Sequence, residues 1–310
     1  MTAFLFPGQG SQSVGMGYEL YEQHDEARAR FEAANEMLDV DLLTLMFGIG
    51  SSLDDPEEQL KQTAVTQPAL YTHSLAAMAV LEARGVTPAM AAGHSLGEYS
   101  ALAAAGALSF EDGLRVVRRR GELMAEAGER RPGAMAAIMG ADDEDVEAAC
   151  AAASDEADGV VQPASYNAPG QVVISGDEAA LERATARIKG RALPLPVSGA
   201  FHSPLMEYAR EGLGEVLEAV TITAPACPVY LNVTAEPTTD PDEIRRCLME
   251  QLLSPVRWAQ LLRRMQSDGA TRFVEVGAGD VLRGLVRRTL GTDVETAGAG
   301  TPEDIDALTE

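Results

Sequence analysis

The chain has 310 residues, 46% of them hydrophobic, enough for one large core or two smaller ones. Its 48 acidic and 24 basic residues leave a net charge of −24, which speaks against nucleic acid or an anionic membrane surface as a partner. No stretch approaches the ~18 uninterrupted apolar residues of a membrane-spanning helix, and the acidic balance, with only Lys61 and Lys189 as lysines, is one that a high-salt cytoplasm favours.

Thr2–Phe6 reads as a first strand, without the basic and apolar regions of a signal peptide. A glycine-rich loop, Pro7–Gln12, follows it. Tyr18–Asn35 and Pro68–Arg84 carry helical periodicity. Pro88–Ala92 is a short buried strand that runs into the turn Gly93-His94-Ser95-Leu96-Gly97. A helix over Leu96–Ala105 comes next, with Glu98 suited to its first turn. Phe110–Ala127 is a further helix and bears Arg115, Arg118, Arg119 and Arg120.

Composition shifts at Glu129–Gly133. Beyond it lie strand Ala134–Met139, helix Asp143–Ala153, strand Val160–Tyr166, strand Gln171–Ser175, helix Glu178–Lys189 and strand Ala192–Pro196. This is the ferredoxin-like order βαββαβ. Residues 131–196 are therefore expected as a small inserted subdomain, and 1–130 with 197–310 as the large α/β domain. The large domain resumes with loop Ser198–Pro204, helix Leu205–Ala219, strand Val229–Asn232, helices Pro241–Leu252 and Arg257–Gln266, strand Arg272–Glu275 and helix Val281–Leu290. A polar, frayed tail is expected after Gly291. Cys150, Cys227 and Cys247 are widely spaced and form no CxxC pair, so neither a disulfide framework nor a zinc site is expected.

The chemistry centres on Gly93-x-Ser95-x-Gly97. Between a strand and a helix this spacing is a nucleophile elbow. Small flanking residues permit the tight turn, the serine Oγ stands exposed, and the following backbone N–H groups face a developing oxyanion. A serine nucleophile needs a base, and four histidines are available. His24 falls in a charged, solvated helix, His73 inside a helix, and His94 beside Ser95 on a turn whose neighbours point apart. His202, in a loop bracketed by glycine and proline, is left. The acceptor that orients it is open: any of 48 acids, or a neutral amide oxygen. Gly277-Ala278-Gly279 lacks the third glycine of a dinucleotide site, and no Walker A motif occurs.

Ten stretches together resemble the malonyl-CoA:acyl carrier protein transacylase family, stand-alone relatives of polyketide synthase acyltransferase domains. They are FPGQGSQ from Phe6, TQPAL from Thr66, GHSLGEYSAL from Gly93, RRG from Arg119, GAMAAI from Gly133, NAPGQVVISG from Asn167, RALPLPVS from Arg191, FHSPLM from Phe201, QLLSPVRW from Gln251 and EVGAGDVL from Glu275. The resemblance implies an α/β-hydrolase-like large domain with a mainly parallel sheet plus the ferredoxin-like insertion. It implies transfer of malonyl from malonyl-CoA to the phosphopantetheine thiol of acyl carrier protein, by ping-pong through a malonyl-serine, for fatty acid or polyketide synthesis. Ser95 would be acylated, His202 would be the base, and the Gln251 side-chain carbonyl would orient it. Gln9 and Leu96 N–H groups would form the oxyanion hole. Arg120 would grip the malonyl carboxylate, Phe201 would crowd an α-methyl group, and Asn167 would lie near the pantetheine entrance.

No metal or redox cofactor is implied, and a cytoplasmic monomer is expected. Asp280 departs from the lysine that relatives often carry there. That leaves Arg118, Arg119, Arg130, Arg131, Arg287 and Arg288 as candidates for phosphate or carrier contacts. The alternatives are a serine hydrolase or thioesterase of similar fold, which would pass the acyl group to water, and a transferase for another acyl-CoA.

Overall fold

The computed structural model describes residues 1–49, 55–156, 159–197 and 199–309. Ser198, at the head of the expected loop, lies outside the described residues. Ten strands are described: β1 (Thr2–Phe6), β2 (Met90–Gly93), β3 (Ala134–Met139), β4 (Val161–Ala168), β5 (Gln171–Gly176), β6 (Arg191–Pro194), β7 (Val229–Tyr230), β8 (Pro237–Thr238), β9 (Arg272–Val276) and β10 (Glu295–Ala299). They form two sheets.

The larger sheet has the order β10-β9-β1-β2-β7-β8, parallel except for the edge strand β8. Strand β1 lies between β2 and β9, with Phe6 opposite Gly93, so the loops after β1 and β2 leave the sheet side by side. Helices cover both faces, and the central strands β1 and β2 are accordingly mostly apolar and buried. The helix Thr63–Ala83 is buried along nearly all its length, which suits a sequence apolar on every face. It packs against Phe110–Arg130, whose apolar stripe faces it.

The smaller sheet is antiparallel with the order β4-β5-β3-β6. Helices Asp143–Asp155 and Glu178–Arg187 close a separate small core around Ile138, Val146, Val172 and Ile174. This is the ferredoxin-like arrangement. An isolated bridge between Ser165 and Val256 joins the two sheets' surroundings.

Three of the expected elements take a different form, and the helices Leu42–Phe47 and Pro56–Lys61 and strand β8 have no counterpart in the sequence expectation. The helix expected over Tyr18–Asn35 is two helices, Tyr18–Gln23 and Asp25–Met37, broken at His24, whose extended backbone ends one and begins the other. The helix expected from Pro68 begins at Thr63, because Pro68 sits early enough to forfeit only one backbone bond. The expected frayed tail is ordered: β10 adds to the sheet beside β9, and helix Pro302–Thr309 buries Ile305. Glu295–Ala299 is short and built of small residues, so it carries no alternation to mark it. No described helix is long and apolar enough to cross a membrane.

Candidate active site

The loop after β2 is the tightest point of the molecule. Ser95 has φ 50°, a left-handed backbone that a serine rarely adopts. A Cβ on Gly93 would overlap the Gly97 carbonyl, and one on Gly97 would overlap the Phe6 carbonyl. Both glycines are thus required by contact between backbones. The turn passes at once into the helix Gly97–Ala104.

The turn lifts Ser95 into a cavity of about 260 Å³ between the two sheets, lined also by Gln9, His94, Leu96, Arg120, Asn167, Phe201 and His202. Ser95 Oγ lies 2.8 Å from His202 Nε2 and 3.0 Å from Arg120 Nη2. His202 is buried and also left-handed, with φ 57°. Its Nδ1 faces two backbone carbonyls, Gln251 O at 2.9 Å and Ser254 O at 3.2 Å. Two acceptors on that side require the proton on Nδ1, which leaves Nε2 free to accept the serine proton.

Here the structure corrects the expected role of Gln251. Its backbone carbonyl orients His202, and its side-chain carbonyl does not. The side-chain Oε1 accepts from Arg120 Nη2 at 2.9 Å, while Nε2 donates to Ser95 O and to Glu98 Oε2, each at 3.1 Å. The cause is the end of the helix Pro241–Gln251, where the Gln251 carbonyl has left the helical ladder and faces the histidine.

Burial, followed by the nearby Arg120 charge, pulls the His202 pKa down from 6.5 to about 3. A base must be neutral to take a proton, and lowering its pKa extends the neutral form to lower pH. A reaction at Ser95 that uses His202 as its base should therefore show no His202 limb near 6.5 in its kcat/KM, and should lose this base only as pH falls toward about 3. A rate profile whose acid limb centres at 6.5, and which disappears in His202→Ala, would contradict this.

Arg120 is 1% exposed, alone among the arginines of its helix in turning inward. Arg118 and Arg119 instead pair with Glu122, and Arg119 also with Glu126. The inward guanidinium donates to Gln67 Oε1 at 2.9 Å and lies 5.4 Å from the Tyr99 ring centroid. Its Nε has no partner among the described residues.

The N–H groups of Gln9 and Leu96 sit at the carboxyl ends of neighbouring parallel strands, and neither has a protein acceptor among the described residues. Asn167 Oδ1 faces His94 Nε2 at 2.8 Å, and Phe201 is buried at the wall. His94 was set aside as a base, and it does turn away from Ser95, yet it lines the same cavity. His73 is a core residue bonded to Gly300 O.

Two braces escaped the sequence reading. Asn232 Oδ1 accepts the Ser95 N–H at 2.7 Å and its Nδ2 donates to Gly93 O at 2.7 Å, so one amide clamps the strained turn. Glu98 is fully buried and accepts the Asn232 N–H at 2.9 Å. An asparagine closing a strand carries no spacing signal. Glu98 had a visible position, but first-turn acids are usually solvated. The three cysteines are buried free thiols, and no group of three or more metal-ligating side chains occurs among the described residues.

The family profile described as the acyl transferase domain matches residues 3–302. A malonyl CoA-acyl carrier protein transacylase of Bacillus subtilis is 46% identical over 308 residues, covering 98% of this chain and 95% of that protein. Among solved structures, a malonyl-CoA:acyl carrier protein transacylase from Xanthomonas oryzae is 43% identical with a TM-score of 0.91, covering 99% of this chain and 97% of that one. An acyl carrier protein S-malonyltransferase from Vibrio cholerae is 42% identical with a TM-score of 0.91, covering 99% of both.

Proposed function

The chain belongs to the malonyl-CoA:acyl carrier protein transacylase family of acyl transferases, and from that premise we propose that it moves malonyl from malonyl-CoA to an acyl carrier protein through an ester on Ser95. The observation that carries this is the position of Ser95 Oγ between a neutral base and a buried guanidinium, 2.8 Å and 3.0 Å away.

In the first half-reaction Ser95 Oγ passes its proton to His202 Nε2 and attacks the thioester carbonyl. The Gln9 and Leu96 N–H groups receive the negative charge that develops on oxygen. The C–S bond breaks, and His202 returns the proton to the departing CoA sulfur. In the second, His202 takes the proton of the carrier's phosphopantetheine thiol, the sulfur attacks the ester, and Ser95 regains its proton from His202. No external acid or base is consumed. The product supplies malonyl units for the condensations of fatty acid or polyketide synthesis.

On this reading one chain suffices for the reaction, since all the groups used come from it. The test is product analysis with malonyl-, methylmalonyl- and acetyl-CoA, with and without purified carrier protein. Malonyl-carrier should dominate when the carrier is present. Equal release of free malonate in both cases would make the protein a hydrolase.

Phe201 bears on selectivity. It is 6% exposed and lines the cavity, where on this reading its ring crowds an α-methyl branch. A methyl-sized fit is worth about 1–3 kcal/mol. Phe201→Ser should therefore raise the methylmalonyl:malonyl ratio of kcat/KM about tenfold or more. An unchanged ratio would remove its role.

For the carrier and CoA phosphates, the arginine candidates now divide. Arg118, Arg119 and Arg131 have carboxylate partners, and Arg130 stacks on the Tyr208 ring. Arg287 donates to Thr296 and Arg288 to Gln171, both neutral, and Gln171 lines the cavity mouth. Arg288→Glu should raise the KM for carrier protein severalfold at low salt, an effect that shrinks in high salt. An equal rise at both ionic strengths would argue against a charge contact.

A further inference from the structure

Glu98 is a carboxylate without exposed surface, set in the helix that follows Ser95. Its Oε2 accepts from two separate elements: the Asn232 N–H beyond β7 at 2.9 Å, and Gln251 Nε2 at the end of the helix Pro241–Gln251 at 3.1 Å. Gln251 Nε2 donates also to Ser95 O. A primary amide has one donating end and one accepting end. With Nε2 committed to two acceptors, Oε1 must face the other way, where it meets Arg120 Nη2 at 2.9 Å. The flipped amide would set an NH2 against a guanidinium, donor against donor.

We infer that Glu98 is a positioning residue for malonyl selectivity: it fixes the Gln251 amide, which in turn holds the Arg120 guanidinium over Ser95. The inference rests on the proposal that Arg120 receives the malonyl carboxylate. The charge of Glu98 is not what positions. Burial raises its pKa to about 7, and its Oε1 has no partner among the described residues, so a proton there leaves Oε2 still able to accept both donors. The role therefore survives in glutamine, whose carbonyl oxygen can take the place of Oε2, and is lost in alanine.

The experiment measures kcat/KM for acyl-enzyme formation with malonyl-CoA and with acetyl-CoA. Loading of the wild-type enzyme by malonyl-CoA tests the parent proposal by itself: if the wild type does not load malonyl, that proposal fails whatever the variants do. Given loading, Glu98→Ala and Gln251→Leu should each lower the malonyl:acetyl ratio about tenfold or more. The double variant should be no worse than the poorer single one, because both act on one interaction. Glu98→Gln should stay within about threefold of the wild type.

A merely structural Glu98 would lower both substrates together and leave the ratio unchanged, which overturns the inference. So would multiplicative losses in the double variant, or a Glu98→Gln that loses the ratio to the same extent as Glu98→Ala. If Glu98→Ala does not fold, Gln251→Leu and Glu98→Gln decide: an unchanged ratio in the first or a lost ratio in the second overturns it.

Discussion

Replacing Ser95 by alanine should abolish the one-malonyl mass increment that malonyl-CoA leaves on the enzyme, and should cut transfer by about 10⁴- to 10⁶-fold. Alanine keeps the small volume of the turn, and the Asn232 clamp on the residue-95 N–H and on Gly93 O involves backbone groups that the substitution leaves in place. The fold and the cavity should persist, and malonyl-CoA should still bind. What is lost is the hydroxyl that lies 2.8 Å from the neutral Nε2 of His202. Removing either member of such a pair costs nearly as much as removing both. His202→Ala should therefore be almost as damaging, and the double variant scarcely worse. Intact protein mass spectrometry after malonyl-CoA treatment reads this directly. A normal increment in Ser95→Ala would place the ester elsewhere and sink the proposal.

How much of this was legible in the sequence follows from the range of the forces involved. The elbow was readable because its determinants are local: two glycines are forced by backbone contacts within the turn and with the neighbouring β1 loop, and they leave a fixed spacing around Ser95. The ferredoxin-like insertion was readable because each of its strands and helices has its own period and turn. His202 could be reached by elimination among four histidines. The residue that orients it could not. Its partners are the main-chain carbonyls of Gln251 and Ser254, and every residue has a carbonyl, so no side-chain pattern marks them. Resemblance pointed to the right residue, Gln251, but assigned the wrong oxygen. Asn232 and Glu98 were missed for the same reason, since they meet Ser95 and Gln251 only after 130 residues of chain have folded. Among the five arginines of the helix Phe110–Arg130, helical phase alone does not choose the inward one, because a long side chain can bend back to solvent.

Arg120→Ala should reduce malonyl transfer far more than acetyl transfer. Arg120 is buried and its hydrogen-bond acceptors are neutral: Gln67 Oε1, Gln251 Oε1 and Ser95 Oγ. A guanidinium taken out of water without a carboxylate bonded to it is costly to hold. Burial accordingly pulls its pKa down, with Glu98 and Tyr99 opposing that. A carboxylate arriving with the substrate supplies the missing counter-charge, and a planar fork suits it in two-point contact. Each charge-assisted bond is worth about 1.5–3 kcal/mol, so the loss of two should cost malonyl transfer at least about 3 kcal/mol, or roughly 150-fold in kcat/KM. Acetyl carries no carboxylate to lose. It should be affected only through the contact of Arg120 with Ser95 Oγ, by roughly tenfold or less. Arg120→Lys should fall between, since an ammonium keeps the charge and gives up the fork. The malonyl:acetyl ratio of kcat/KM in the three proteins measures this. Equal losses for the two substrates in Arg120→Ala would mean that Arg120 serves the nucleophile alone and does not receive the malonyl carboxylate.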